Sequence, residues 1–309
     1  MLGGMRKHSP EHRSKLLQIY HRHLEEVRGL ATITRRHHLE ELGRFLEAES
    51  IGKVADLARL TPVKLTGYLS VRSTECKPAT LRQIAGCLRS FLRFAQQRAW
   101  VKQPLSLATP KIACREHHDL PCYLSKEQLE ALLSSWDGHT VKGRRDRAIG
   151  LCLARLGMRA SEVRALVLED LDWRQGTVRL RRSKNGIQAE LPLPHEVGQE
   201  IAAYLKADRP ACNYREVFLR YPSARPLGPS GVSYVVRKAL KACGIQVPRP
   251  GAHLLRHTVA SHLVQNGATL KEVADLLRHH QLNTTVVYTH LDIVQLRSVA
   301  QPWPREARL

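Results

Sequence analysis

Apolar residues recur at helical spacing through most of the chain, and prolines, glycines and short polar runs punctuate them into separate elements. The most regular stretch is "PATLRQIAGCLRSFLRFAQQRAW", residues 78–100. There Leu81, Ile84, Ala85, Leu88, Leu92 and Ala95 share one stripe, while Arg82, Arg89 and Arg93 lie elsewhere on the cylinder. Ser9-Pro10-Glu11 predicts a helix start with Ser9 as N-cap and Pro10 in the first turn, and Thr61-Pro62 repeats that logic before "VKLTGYL". Residues 1–107 are therefore expected to form a small all-helical domain. The stretch "PLSLATPKIACREHHDLP", 104–121, breaks the periodicity, which places a linker at 108–120.

The second domain, 121–309, is expected to be mainly helical with a small antiparallel sheet. Ser125 and Gln128 form a capping-box signature ahead of "KEQLEALLSSW". Helices are predicted around "RRDRAIGLCLARLG" and "RASEVRALVLEDL", then a hairpin in which "TVRLRR" and "IQAELPL" flank the turn "SKNG". Further helices are expected near 195–206, 229–243, 253–265, 270–278 and 291–300. The last carries Ile293, Leu296, Val299 and Ala300 at helical spacing.

Charge narrows the class of partner. The chain of 309 residues has 49 basic and 28 acidic side chains, a formal charge of +21. Residues 1–120 carry 21 basic and 11 acidic groups and residues 121–309 carry 28 and 17, so the excess is spread over both domains rather than held in a tail. Such a balance points to a polyanion, with nucleic acid first. Seven cysteines with no CxxC pair argue for a reduced, cytosolic protein. Neither an apolar signal segment nor a run of about 18 apolar residues occurs, so no membrane association is expected.

Three segments carry candidate chemistry. In "LGMRASEV", Arg159 follows a Gly-Met turn and Glu162 stands one helical turn on; taken alone, this is an ordinary surface ion pair. In "HLLRHT", His253, Arg256 and His257 share one helix face. The two histidines have the spacing of half a zinc site, but the glutamate of HExxH is absent, Leu254 taking its place, and an arginine between the ligands repels a cation. In "LRHHQLNTTVVYTH", His279 precedes Tyr288 by nine residues; by itself a tyrosine in that β-branched context is a core residue whose hydroxyl finds one partner.

Their order changes the reading. Arg159, a hairpin lysine at 184, HxxRH at 253–257, His279 and Tyr288 together resemble the catalytic domain of the tyrosine recombinase (phage integrase) family over about 121–300. Residues 1–107 resemble that family's helical, SAM-like core-binding domain. The sequence departs from the family pattern at Arg278, where a glycine usually precedes the histidine, and at His280.

The resemblance implies a strand transferase that closes on duplex DNA, cleaves through a 3′-phosphotyrosyl intermediate and rejoins a partner strand without metal or other cofactor. It makes Tyr288 the nucleophile and Arg159 and Arg256 the phosphate clamp. Lys184 becomes the general acid, His253 an acid/base near the phenol and His279 a hydrogen-bond donor to the phosphate, with Glu162 and His257 as supporting residues. Arg82, Arg89, Arg93 and Arg278 are expected DNA contacts. The expected partners are double-stranded recombination sites, further copies of the chain (a tetramer on two sites, a dimer or monomer on one) and accessory or partner recombinases, in a bacterial, nucleoid-associated setting. The rival readings are a type IB topoisomerase-like relaxing enzyme, a non-catalytic DNA-binding regulator and a zinc hydrolase.

Overall fold

The computed structural model describes residues 10–113, 122–181 and 188–278. They fall into two compact units, 1–116 and 117–309. Among the described residues no helix is long and apolar enough to cross a membrane.

The first unit is helical throughout. Helix α1 (Pro10–Arg22) starts on the expected proline and runs on as a π-helical turn, His23–Val27; Ser9 lies outside the described residues. Then come α2 (Thr32–Ala48), a 3-10 turn (Val54–Arg59), α3 (Pro62–Glu75), α4 (Pro78–Gln97) and α5 (Leu105–Ala108). The Thr61 hydroxyl accepts from the Lys64 N–H at 3.3 Å, so α3 begins where Thr61-Pro62 predicts. All six stripe residues of α4 are buried, and Phe91 and Phe94 widen the face. Tyr20 packs edge-on against Phe91, with ring centroids 5.3 Å apart, and donates to Ser90 Oγ at 3.0 Å. Burial pushes its phenol up to about 12.

Residues 108–113, expected in a linker, continue the first unit instead. Thr109 is buried, and the carbonyls of Thr109 and Pro110 accept from Arg89 on α4. The rest of that linker, 114–120, and Pro121 lie outside the described residues.

In the second unit α6 (Lys126–Ser134) opens with the predicted capping box between Ser125 and Gln128. Helix α7 (Val141–Ala154) is buried over most of its circumference and packs against α6, α8 (Ala160–Ala165), α9 (His195–Ala207), α10 (Gly231–Ala242) and α11 (Ala252–Gln265). Helix α12 (Leu270–Leu277) rests on α11. The sheet has strands β1 (Leu171–Asp172), β2 (Thr177–Leu180) and β3 (Ala189–Pro192) in that order, antiparallel, with Val178 opposite both Leu171 and Leu191. The apolar side chains at these three positions are buried. The predicted turn, 183–186, and the terminal helix, 291–300, lie outside the described residues.

Two local expectations are corrected. The helix predicted over "RASEVRALVLEDL" stops at Ala165, because Leu166 turns extended and its carbonyl accepts from the Val217 N–H at 2.8 Å. The Leu168 N–H then donates to the Arg215 carbonyl, and the chain enters β1, a third strand beside the predicted hairpin. Asp170 accepts from the Val167 N–H at 3.0 Å and fixes this bend.

Candidate active site

An α-helix ends with carbonyls that have no intrahelical donor and carry a partial negative charge, so cationic donors are favoured there. At the C-terminus of α12 those donors are three arginines. Arg256 donates from one terminal nitrogen to the Leu277 carbonyl and from the other to the carbonyl of Gly157. Arg159 Nη2 lies 3.4 Å from the Leu277 carbonyl and 3.0 Å from that of Arg278. Arg278 Nη1 turns back onto the Leu276 carbonyl at 3.0 Å. Arg159 and Arg256, far apart in the chain, thus meet on one carbonyl.

Glu162 ties the cluster together. Its side chain is 1% exposed, and Oε1 accepts from Arg159 Nη1 at 2.7 Å. Oε2 accepts from the Arg159 backbone N–H at 2.8 Å and from Arg278 Nη2 at 2.7 Å. The first of these is half of a capping box; the reciprocal half is missing because an arginine side chain has no acceptor. Arg159 therefore starts α8 with its backbone and its guanidinium both held by one carboxylate.

The local sequence explains the placement. Gly157 adopts φ +57°, a left-handed turn that delivers Arg159 to α8; a Cβ there would lie 2.9 Å from Leu277 Cδ2. On α11, Leu254, Leu255, Thr258 and Val259 are buried, and this anchored face carries Arg256, 4% exposed, to the end of α12. His253 stays exposed and stacks on His257, with ring centroids 5.7 Å apart. Burial, then the charges of His253, Arg256 and Arg249, push the His257 imidazole down to about 4. Burial also lowers the Arg278 guanidinium, with Glu162 opposing that effect and Arg159 adding to it.

Of the residues singled out in the sequence, the structure brings together Arg159, Glu162, Arg256 and Arg278, with His253 and His257 on the same helical turns as Arg256. Lys184, His279 and Tyr288 lie outside the described residues. Beside the hairpin tip, Arg181 is paired with Asp170. Arg82, Arg89 and Arg93 belong to the first unit. Arg82 Nε lies 3.4 Å from the Ile112 carbonyl, Arg89 holds Thr109 and Pro110, and Arg93 is exposed. Arg278, expected at a DNA surface, has a side chain only 11% exposed and faces Glu162.

Sequence reasoning did not foresee the acceptors, the carbonyls of Gly157 and Leu277. A backbone carbonyl carries no residue signature; the only available hint was the glycine two places before Arg159. Among the described residues three guanidiniums meet one carboxylate, an excess of positive charge, and paired N–H donors match the oxygens of a phosphoryl group. Among the described residues no group of three or more His, Cys, Asp or Glu side chains is arranged to hold a metal.

Comparison with known proteins bears on this geometry. Residues 123–293 match the model of the phage integrase family. The chain is 37% identical over 303 residues to y4rA of Sinorhizobium fredii (strain NBRC 101917 / NGR234), named as an integrase/recombinase, covering 97% of this chain and 74% of that protein. It is 32% identical to the tyrosine recombinase XerC of Halalkalibacterium halodurans over 82% of this chain and 84% of that one. Among solved structures, the XerH site-specific recombinase in its post-cleavage complex with palindromic difH superposes with a TM-score of 0.73 at 20% identity, covering 96% of this chain and 90% of that one. The fold is shared with that structure, and by its sequence this chain belongs to the phage integrase family of tyrosine recombinases.

Proposed function

We propose that this chain is a site-specific DNA recombinase in which Arg159 and Arg256 grip the scissile phosphate and Tyr288 attacks it. The observation that carries this reading is the meeting of the two arginines on the Leu277 carbonyl, with Glu162 fixing Arg159. Guanidiniums held before substrate arrives are suited to stabilise charge that develops on the non-bridging oxygens. In the proposed step the Tyr288 phenolic oxygen bonds to phosphorus and the bond to the 5′ oxygen breaks. That oxygen takes a proton from Lys184, leaving a 3′-phosphotyrosyl bond and a free 5′ hydroxyl. Attack by the 5′ hydroxyl of a partner strand reverses the step and restores the phenol. His253 takes the phenolic proton as the oxygen–phosphorus bond forms and returns it on rejoining, and His279 donates to the phosphate.

The charge of +21 and the DNA-bound recombinases of similar fold support duplex DNA as the partner. Exchange between two sites requires two strands cut on each, which four copies of the chain supply. The place of work is then the cytoplasm, where the DNA is. The test is covalent capture: nicked duplexes of randomised sequence are incubated with the protein in the presence of a chelator and resolved under denaturing conditions. A DNA adduct with the wild-type chain and none with Tyr288→Phe is the expected result. An adduct that persists in Tyr288→Phe excludes this nucleophile, and one abolished by the chelator excludes the metal-free step.

A further inference from the structure

We propose that Arg278 is a positioning residue of this site: it occupies one oxygen of Glu162, so that the carboxylate orients Arg159 without cancelling the positive charge the arginines offer a phosphate. The inference rests on the reading above and adds a third guanidinium to it.

Four observations carry it. Arg278 Nη2 lies 2.7 Å from Glu162 Oε2, while Arg159 Nη1 lies 2.7 Å from Oε1, so one carboxylate is shared between two cations. The side chain of Arg278 is 11% exposed against 21% for Arg159, so most of its surface is already covered within the cluster. Its backbone sits at φ +55°, ψ +48°, a region in which non-glycine residues are uncommon. Its Nε is buried with no hydrogen-bond partner among the described residues. A helix-ending glycine would avoid both the left-handed backbone and the unpartnered donor. What the arginine adds is the ion pair.

The electrostatic consequence follows from counting. With Arg278 in place the cluster holds, among the described residues, three guanidiniums and one carboxylate. Without it the carboxylate faces Arg159 alone and neutralises half of the pair that would meet the phosphate. Arg278 also gives Arg159 a second anchor, since its own carbonyl accepts from Arg159 Nη2 at 3.0 Å.

The experiment uses the full chain and a single cleavable duplex recovered by covalent capture from the randomised nicked pool. Adduct formation under single-turnover conditions, and equilibrium binding in a Tyr288→Phe background, are measured for Arg278→Gly and Arg278→Lys. Each substitution is also combined with Glu162→Gln, at a temperature where every variant is folded by calorimetry. Arg278→Gly, which the left-handed backbone accommodates, is expected to lose no more than about twofold in affinity for the duplex, with the salt slope unchanged, yet form the adduct about tenfold or more slowly. Arg278→Lys is expected to recover most of the rate, and in the Glu162→Gln background Arg278→Gly is expected to slow it no further. An unchanged rate in Arg278→Gly overturns the proposal, as does equal slowing in both backgrounds. A loss confined to binding, with the salt slope reduced by about one, makes Arg278 a direct phosphate contact and also overturns it. If the wild-type chain captures no DNA, or Tyr288→Phe captures as much, the recombinase reading itself falls, and this one with it.

Discussion

Glu162→Gln removes one charge from the cluster and leaves its shape. The carboxylate, 1% exposed, accepts three hydrogen bonds, two from guanidiniums at 2.7 Å and one from the Arg159 backbone N–H at 2.8 Å. Breaking a buried ion pair by removing one partner costs about 3–5 kcal/mol, because the other charge stays buried. Arg159 is 21% exposed and can turn to water, and the glutamine oxygen keeps one acceptor, so about 2–4 kcal/mol is expected here. In a unit of this size that corresponds to a fall of roughly 5–15 °C in the melting of residues 117–309. The assay is calorimetry of the full chain in low salt, repeated with sulfate. Two guanidiniums left without their carboxylate are expected to bind the anion, so sulfate should raise the melting temperature of the variant more than that of wild type. A variant that melts within about 1 °C of wild type, with no extra response to sulfate, would refute the argument that Glu162 holds the arginines together.

Three further outcomes test the surroundings of the site. Gly157→Ala meets a left-handed φ of +57° and the Leu277 side chain 2.9 Å away; a loss of about 1–3 kcal/mol is expected by calorimetry, and adduct formation should fall more than DNA binding, since Gly157 and Leu277 supply the acceptors for Arg256. Thr258→Val leaves the buried Leu124 N–H without the hydroxyl it donates to at 3.0 Å, so urea melts should show a loss of about 1–3 kcal/mol; a neutral result would mean the N–H finds another acceptor. His257 has a folded pKa of about 4, below that of the unfolded chain, so its contribution to stability is complete above about pH 6.5 and is lost as pH falls toward 4. Urea melts from pH 7.5 to 4.5 should lose about 2 kcal/mol to this group, and His257→Gln should flatten that slope; an unaltered slope would assign the pH dependence elsewhere.

Much of the fold was legible because its signals are local. The Thr61-Pro62 start of α3, the Ser125–Gln128 box of α6 and the stripe of α4 each act within a turn or two of helix, so a short window of residues predicts them. The motif order around Arg159 and Arg256 was legible in the same way, as residue types at set positions. Other features depend on partners distant in the chain. Helix α8 ends at Ala165 because the segment 215–217 offers its backbone there, and nothing in "RASEVRALVLEDL" announces that. Arg278 reads as a surface cation until the end of α12 comes within reach of Glu162. The meeting of Arg159 with Arg256 needs the carbonyl at the end of α12, an acceptor every residue type possesses, and only packing selects which one is presented.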